Sequence, residues 1–349
     1  MEPRRDPRVL AGLRHPRFLP LKAPLALSGI NTGAPVEGLE WSGLFTTTVA
    51  FLKNDRGRKN GKGRLVELTQ IAVMLVKPVV PARVWQWRAD RYFFSAQGWQ
   101  NLHLGKFTSF QEANEFARRR GVQVGYRLDH SEWSHIQATI KVHDYPVLYW
   151  LGRLLEKDSV LCDFGGSVGV CYYAYGERLQ FPEGLSWVVC ELPEPAALGA
   201  QLAIQRKARG LSFTTDRAAM DGCQILLAAG VLPFLEQRLP KLLAGLAHPP
   251  RHILVNRLPL CSEIPAYVTL QNTGHSVTPM RIDNHAQFVD DMEQSGYELV
   301  DSWKCFENSL RVPQHPECEV RHFHGFCFRH RQAVHATVAG VDAGAVLSA

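Results

Sequence analysis

From Ser159 onward, short apolar runs alternate with longer stretches of helical periodicity. The apolar runs are SVLCDF, LSWVVCEL, CQILLAAG and RHILVNRLPL, which begin at positions 159, 185, 223 and 251. The helix-like stretches between them are AALGAQLAIQRKARG and FLEQRLPKLLAGLAH, and Pro240 is expected to break or kink the second one. Strands that alternate with helices predict a parallel sheet covered by helices on both faces.

The pattern continues towards the C-terminus. AQFVDDMEQSG, after Asn284, predicts another helix, and YELVDSWKCF and RHFHGFCFRH predict two more strands. The polar stretch before this helix, TLQNTGHSVTPMRIDNH, is interpreted as a loop that leaves the carboxyl edge of the sheet. Residues 158–335 are therefore assigned to one α/β domain, and residues 336–349 are expected to form a flexible tail.

A helical region is predicted before that domain, over residues 65–157. In TSFQEANEFARRRG, Ser109 and Glu112 fit a capping box, apolar residues recur at helical spacing, and Gly121 can end the helix. A second helix is predicted over residues 136–156. This region is expected to cap the face of the sheet that holds the active site.

The first residues of the chain differ from the rest in charge. Residues 1–64 hold 12 basic and 5 acidic side chains, whereas the remainder holds 27 basic and 28 acidic ones. We expect a disordered basic extension there, and an alternative start at Met74 would remove it from the native protein. Because the body is neutral, the charge argues against nucleic acid as a partner. An RNA-modifying enzyme or an RNA-binding protein, suggested by the basic extension, is the weaker alternative.

Composition narrows the class of protein further. Hydrophobic residues make up 46% of the chain and charged residues 21%, as in globular proteins. No uncharged apolar run is long enough to span a bilayer. The apolar segment 65–80 is expected to dock on the protein body, with peripheral membrane contact as the alternative. The eight cysteines form no C-x-x-C pair and are interpreted as buried, reduced thiols of a cytoplasmic protein.

The segment VLCDFGGSVGV holds the most informative motif. An apolar strand ends at Asp163 and is followed by Gly165, Gly166, Ser167 and Gly169, and then by a helix-like stretch. Such a turn lets the backbone approach a ligand, and the helix N-terminus favours a polar or anionic ligand group. Neither the dinucleotide fingerprint nor the P-loop string fits this spacing. A tight turn that binds nothing is the structural alternative.

Two further positions fall at strand ends that a doubly wound sheet places beside this turn. Glu191 ends the second strand, 28 residues after Asp163, where a carboxylate can accept the two ribose hydroxyls of an adenosine. Leu192 follows it directly. Gly230 closes the LLAA run, where small residues leave room for the amino-acid end of a cofactor or for a substrate.

These segments resemble the class I S-adenosylmethionine (SAM)-dependent methyltransferases, and more narrowly a methyltransferase family found in bacterial surface-polysaccharide gene clusters. The resemblance covers roughly residues 75–330. It rests on FTSFQEA, DFGGSVG, CELPEP, LSFTTD, LLAAGVLPFL and GYELVDSW. It implies a Rossmann-like fold with a seven-stranded, mostly parallel sheet in the order 3-2-1-4-5-7-6, preceded by the helical cap. Ser167 stands where the commoner motif has its middle glycine.

The resemblance also implies a cofactor and a function. SAM would be bound by Asp163, Gly165, Gly166, Ser167, Gly169, Glu191, Leu192 and Gly230. The implied reaction is O-methylation of a sugar or glycan precursor, and the acceptor is a small molecule or a glycan. A non-catalytic protein of the same fold, acting as an assembly or regulatory subunit, is the main alternative.

Deprotonation of a hydroxyl acceptor calls for a base, and methyl transfer otherwise depends on alignment. His275, Asp283 and His285 are candidates because they lie in the stretch that follows the fourth strand. For each of them an ordinary loop residue is the alternative. His322 and His324 share one face of a predicted strand, but no set of histidines and cysteines has zinc-site spacing, so no metal is predicted.

Overall fold

The computed structural model describes residues 82–95, 101–125, 139–274 and 277–332. The predicted basic extension, the apolar segment 65–80, Met74, His275 and the predicted tail lie outside these residues.

The described strands and helices follow the chain in this order. The strands are β1 (Leu102–Phe107), β2 (Val160–Phe164), β3 (Ser186–Cys190), β4 (Leu211–Thr214), β5 (Ile225–Ala229), β6 (His252–Leu258), β7 (Leu260–Cys261), β8 (Tyr267–Asn272), β9 (Val277–Asn284), β10 (Tyr297–Cys305), β11 (Leu310–Val312), β12 (His315–Val320) and β13 (Phe323–His330). The helices are α1 (Ala82–Ser95), α2 (Phe110–Arg118), α3 (Tyr145–Leu154), α4 (Val170–Gly176), α5 (Pro193–Gln205), α6 (Leu239–Leu243) and α7 (His285–Gln294).

Seven strands form the main sheet, in the spatial order β4-β3-β2-β5-β6-β13-β10. Numbered along the chain within this sheet, the order reads 3-2-1-4-5-7-6. The strands from β4 to β6 pair in parallel, whereas β13 pairs antiparallel with both of its neighbours. The prediction of an α/β fold with a mostly parallel sheet is confirmed. The parallel strands are apolar throughout because both faces of the sheet are covered.

The residues of β5 show how the two faces are filled. Leu227 belongs to a core that contains Leu151 of α3 and Tyr175 of α4. Leu226 belongs to a second core that contains Leu243 of α6 and Met292 of α7. Successive side chains of a strand point to opposite faces, so α3 and α4 cover one face and α6 and α7 the other.

Two helix predictions need correction. The stretch from Phe234 does not form one kinked helix, because α6 begins only at Leu239 and places Pro240 in its first turn. A proline there gives up no helical hydrogen bond, since the first N–H groups of a helix have no partner within it. The helix predicted over residues 136–156 is shorter, because α3 follows a 3₁₀ turn at Val142–Asp144.

The prediction of a loop at residues 269–285 is wrong. Strands β8 and β9 form an antiparallel hairpin there and join β1 and β7 in a second, four-stranded sheet. The polar side chains of the hairpin are satisfied within the fold: Thr269 donates to the Leu104 carbonyl and Asn272 to the Phe93 carbonyl. Polarity in this segment therefore reflects buried hydrogen bonds rather than contact with solvent.

The N-terminal region is not helical throughout, because it supplies β1 to the second sheet. Helices α1 and α2 cover one face of this sheet, where Phe93 and Ala113 pack with Leu270. The predicted start of α2 is confirmed: the Ser109 hydroxyl accepts from the Glu112 amide over 3.1 Å. Glu112 reaches back to Thr108 rather than to Ser109.

Candidate functional site

The turn from β2 into α4 has the backbone that its sequence predicts. Gly165 has φ +73° and Gly169 has φ +86°, so both lie in the left-handed region that favours glycine. The Gly165 amide donates to the Cys190 carbonyl over 2.9 Å, which ties the turn to the end of β3. A Cβ atom on Gly165 would lie 2.4 Å from the Cβ of Val231. The turn after β2 is thus packed directly against the turn after β5.

Asp163 lies beneath this turn and is fully buried. Its Oδ2 accepts from the indole N–H of Trp187 over 3.2 Å, and no described residue hydrogen-bonds its Oδ1. A Cβ atom on Gly166 would lie 2.5 Å from the carboxylate, so the loop backbone crosses directly over it. Burial raises the pKa of Asp163 to about 7, and Trp187 and Arg257 oppose this rise. The negative charge of the carboxylate can attract a cationic group on the opposite side of the loop.

Glu191 connects the end of β3 to the same loop. Its carboxylate accepts from the backbone amides of Leu192 and Ser167. Burial raises the pKa of Glu191, and these two hydrogen bonds lower it in part. Ser167 has φ +55°, a left-handed backbone that costs a non-glycine residue about 1–2 kcal/mol. Its buried hydroxyl has no hydrogen-bond partner in the described part of the chain.

The remaining predicted cofactor residues lie at the same edge of the sheet. Leu192 is 53% exposed although it is apolar, and it precedes α5 as its N-cap residue. Gly230 has φ +91° directly after β5. Because β2, β3 and β5 are parallel neighbours, their carboxyl ends bring Asp163, Glu191 and Gly230 to one edge.

Arg257, near the carboxyl end of β6, was not singled out from the sequence. Its φ is +57°, and its guanidinium crosses to the end of β5, where it donates to the Ala229 carbonyl. A Cβ atom on Gly230 would lie 3.3 Å from this guanidinium. A signal was present in the sequence, since Asn256 and Arg257 interrupt the apolar run ILVNRLPL.

The three predicted base residues have different environments. Asp283 is buried, and both of its oxygens lie 3.1 Å from Nε of Arg281. Arg238 Nε lies 3.3 Å from the same carboxylate. The carboxylate of Asp283 is therefore engaged in ion pairs with two arginines within the fold. His275 lies outside the described residues.

His285 is the first residue of α7, and its ring lies 4.8 Å from the ring of His324. The ring of His322 lies 4.9 Å from that of His324 on the other side. Burial lowers the pKa of His285, and burial together with the neighbouring histidines lowers that of His324 to about 4. These two imidazoles are neutral at pH 7 and can accept a proton.

Another histidine lies at the carboxyl edge of the main sheet, and no pattern in the sequence indicated it as a candidate base. His143 is buried, and its Nδ1 lies 2.6 Å from Oε2 of Glu307, just after β10. The neighbouring Asp144 accepts from Tyr175 and from Asn256, a fully buried residue of β6. No local motif marks this cluster because its members come from four separate parts of the chain.

Among the described residues, one set of possible metal ligands lies away from the glycine-rich turn. Donor atoms of His315, Glu317 and Cys318 lie within 4.8 Å of one another. Glu317 already accepts from Lys106 over 3.4 Å and contacts His315 over 3.2 Å. Its carboxylate is therefore engaged within the fold.

All eight cysteines are unpaired, and seven of them are buried, as predicted.

An open cleft of about 780 Å³ lies between the turn after β4 and α6. Arg217, Arg238 and Lys241 line it together with Glu236 and Asp291. None of the predicted cofactor residues lines this cleft.

No helix among the described residues is both long and apolar enough to cross a membrane.

Comparison with known proteins gives likeness of structure only. No family model matches the sequence, and no curated protein matches it. The Burkholderia thailandensis 1,6-didemethyltoxoflavin N1-methyltransferase, crystallised with S-adenosylhomocysteine, is 20% identical over 57% of this chain and 80% of its own, with a TM-score of 0.38. The magnesium protoporphyrin IX methyltransferase of Synechocystis PCC 6803, also with bound S-adenosylhomocysteine, is 13% identical over 63% of this chain and 96% of its own, with a TM-score of 0.36.

A third similar structure is the [4+2]-cyclase SpnF, 13% identical over 66% of this chain and 99% of its own, with a TM-score of 0.39. At these TM-scores and identities, the likenesses identify neither an activity nor a substrate of this chain.

Proposed function

We propose that this protein is a SAM-dependent methyltransferase. The observation that carries the proposal is the pair of carboxylates, Asp163 and Glu191, at the ends of adjacent parallel strands around a glycine-rich turn. Gly165 and Gly169 have left-handed backbones in this turn, which lets the backbone approach a ligand closely.

The residues around the turn fit the chemical groups of SAM. Asp163 lies beneath the Gly166 backbone and favours a cationic amino group above the turn. Glu191 is held by the Ser167 amide, so its carboxylate is fixed in position to accept ribose hydroxyls. The buried Ser167 hydroxyl has no hydrogen-bond partner among the described residues and supplies hydrogen-bonding capacity that a ligand can use.

SAM, when bound, supplies a methyl group already activated by its sulfonium. The protein then has to align the acceptor and take up its proton. We propose His285 for the second task, since its pKa is lowered and the imidazole is neutral at pH 7. His143, held against Glu307, is the competing candidate. Asp283 is less suited because Arg281 and Arg238 occupy its carboxylate.

The proposed acceptor is a hydroxyl of a sugar or glycan precursor. This part of the proposal rests on the sequence resemblance, which covers roughly residues 75–330. The test is transfer of radiolabelled methyl from SAM to pools of sugar nucleotides and oligosaccharides, with pools of amines and of RNA as comparisons. Label in the sugar pools alone supports the acceptor class. Label confined to the amine or RNA pools contradicts it, and binding of SAM without transfer to any pool favours the non-catalytic alternative.

A further inference from the structure

Arg257 combines three features that seldom occur together in a residue that serves packing alone. Its backbone has φ +57°, a conformation that a non-glycine side chain adopts at a cost. Its guanidinium is partly buried at the carboxyl edge of the sheet. It makes one side-chain hydrogen bond within the described residues, from Nη2 to the Ala229 carbonyl, so most of its five N–H donors are unused.

The positive charge of Arg257 is also not balanced by a contacting negative charge in the described part of the chain. No described carboxylate forms an ion pair with it, and its Nε is buried without a hydrogen-bond partner in the described ranges. A partly buried cation without a contacting counter-charge is unfavourable, because it loses solvation without gaining an ion pair. Such a group persists where a ligand completes its surroundings.

The position of the guanidinium indicates which ligands it can reach. It lies against Gly230 at the end of β5, and its charge is close enough to influence Asp163, Tyr175 and Cys305. It therefore lies between the glycine-rich turn and the polar cluster around Asp144 and Asn256. Ligands bind at this edge in open parallel sheets.

We propose that Arg257 binds an anionic group, a carboxylate or a phosphate, of a ligand held at the carboxyl ends of β5 and β6. A guanidinium presents paired N–H donors that match either group. Two sources have this chemistry: the amino-acid carboxylate of the cofactor and an anionic substituent on the acceptor. The first source rests on the proposed function, whereas the second does not require it.

The experiment compares three ligands on the wild type, Arg257→Gln and Arg257→Lys. S-Adenosylhomocysteine carries the carboxylate, 5′-methylthioadenosine lacks the whole amino-acid end, and inorganic phosphate is a bare anion. Dissociation constants are measured by calorimetry, and the rise in melting temperature on adding phosphate is measured by calorimetric scanning. Arg311→Gln is the matched control because Arg311 is 84% exposed and paired with Glu319 on a remote hairpin.

If the cofactor carboxylate is the ligand, Arg257→Gln weakens the binding of S-adenosylhomocysteine roughly tenfold to a hundredfold and leaves the binding of methylthioadenosine unchanged. If the acceptor supplies the anion, both affinities stay unchanged, and the stabilisation by phosphate seen in the wild type is lost in Arg257→Gln and partly kept in Arg257→Lys.

If Arg257→Gln weakened the binding of both nucleosides equally, the proposal would be overturned. Arg257 would then stabilise the end of β5 without contacting the ligand's anionic group. Unchanged nucleoside affinities together with no phosphate effect in the wild type would overturn it as well. A wild type that binds neither nucleoside refutes the proposed function instead, and the phosphate measurement then decides on Arg257 alone.

Discussion

The indole N–H of Trp187 donates to the buried carboxylate of Asp163 across two neighbouring strands, at 3.2 Å. This bond satisfies one carboxylate oxygen, and the loop backbone at Gly166 covers the group from above. The carboxylate is thereby fixed beneath the turn without direct contact with solvent. It can act on a ligand through its charge and through the backbone that it orients.

The pH dependence of stability follows from Asp163. Its pKa rises from 3.8 to about 7 on folding, so the folded state holds a proton that the unfolded state releases between these values. The free energy of unfolding therefore falls as pH rises from about 4 to 7, by up to about 1.4 kcal/mol per pH unit from this group. Asp163→Asn keeps an acceptor for Trp187 but does not titrate. We expect the stability of the wild type relative to Asp163→Asn, measured by urea unfolding, to fall over this range; a constant difference would refute the assignment.

Gly165 is expected to tolerate no side chain. Alanine there adopts a left-handed backbone at a cost of about 1–2 kcal/mol and also meets the Val231 side chain, which adds about 1–3 kcal/mol of overpacking. Gly121→Ala is the matched control, because its φ is +71° and a Cβ there meets nothing within 4 Å. We predict that Gly165→Ala lowers the melting temperature by clearly more than Gly121→Ala does. Equal losses would show that the turn after β2 is not packed against the turn after β5.

Asp283 is expected to stabilise the fold rather than to catalyse. Asp283→Ala leaves Arg281 buried without its carboxylate and should cost about 3 kcal/mol in the free energy of unfolding. Arg281 keeps its bonds to the Leu235 and Glu236 carbonyls, which limits the loss. Asp290→Ala, on the exposed side of α7, should change stability by less than about 0.5 kcal/mol. A fully stable Asp283→Ala that had lost methyl transfer would restore Asp283 as a base.

His285 is expected to act on the acceptor and not on the cofactor. His285→Gln should leave the dissociation constant of S-adenosylhomocysteine unchanged and slow methyl transfer roughly 10²–10⁴-fold. Because burial lowers the pKa of His285, the midpoint of the rise in the wild-type rate with pH should lie below that of an ordinary histidine. His143→Gln is the comparison. Loss of transfer in His143→Gln with normal rates in His285→Gln would assign the base to the Glu307-paired histidine instead.

The extent to which sequence predicts this structure depends on how local each feature is. The positions of Asp163, Gly165 and Glu191 were predicted because strand ends and glycine turns follow from neighbouring residues. The hairpin of β8 and β9 was missed because its polar side chains find partners 165 and 179 residues away. Their burial depends on contacts that no local pattern contains.

Arg257 and His143 illustrate the same limit at the site. Arg257 has a left-handed backbone angle that no local residue pattern specifies. The environment of His143 depends on Glu307, which lies 164 positions away and after a different strand. Side-chain chemistry was visible in the sequence, but the pairing of those side chains was not.

The central claim is that the turn around Asp163 binds SAM, and calorimetric titration with S-adenosylhomocysteine tests it most directly. NAD is the control ligand, and Asp163→Asn and Glu191→Ala are the control variants. We predict micromolar binding of S-adenosylhomocysteine to the wild type, no binding of NAD, and affinities lowered roughly tenfold to a hundredfold in both folded variants. Absence of S-adenosylhomocysteine binding to the folded wild type, or affinity unchanged in both variants, would contradict the assignment of this site.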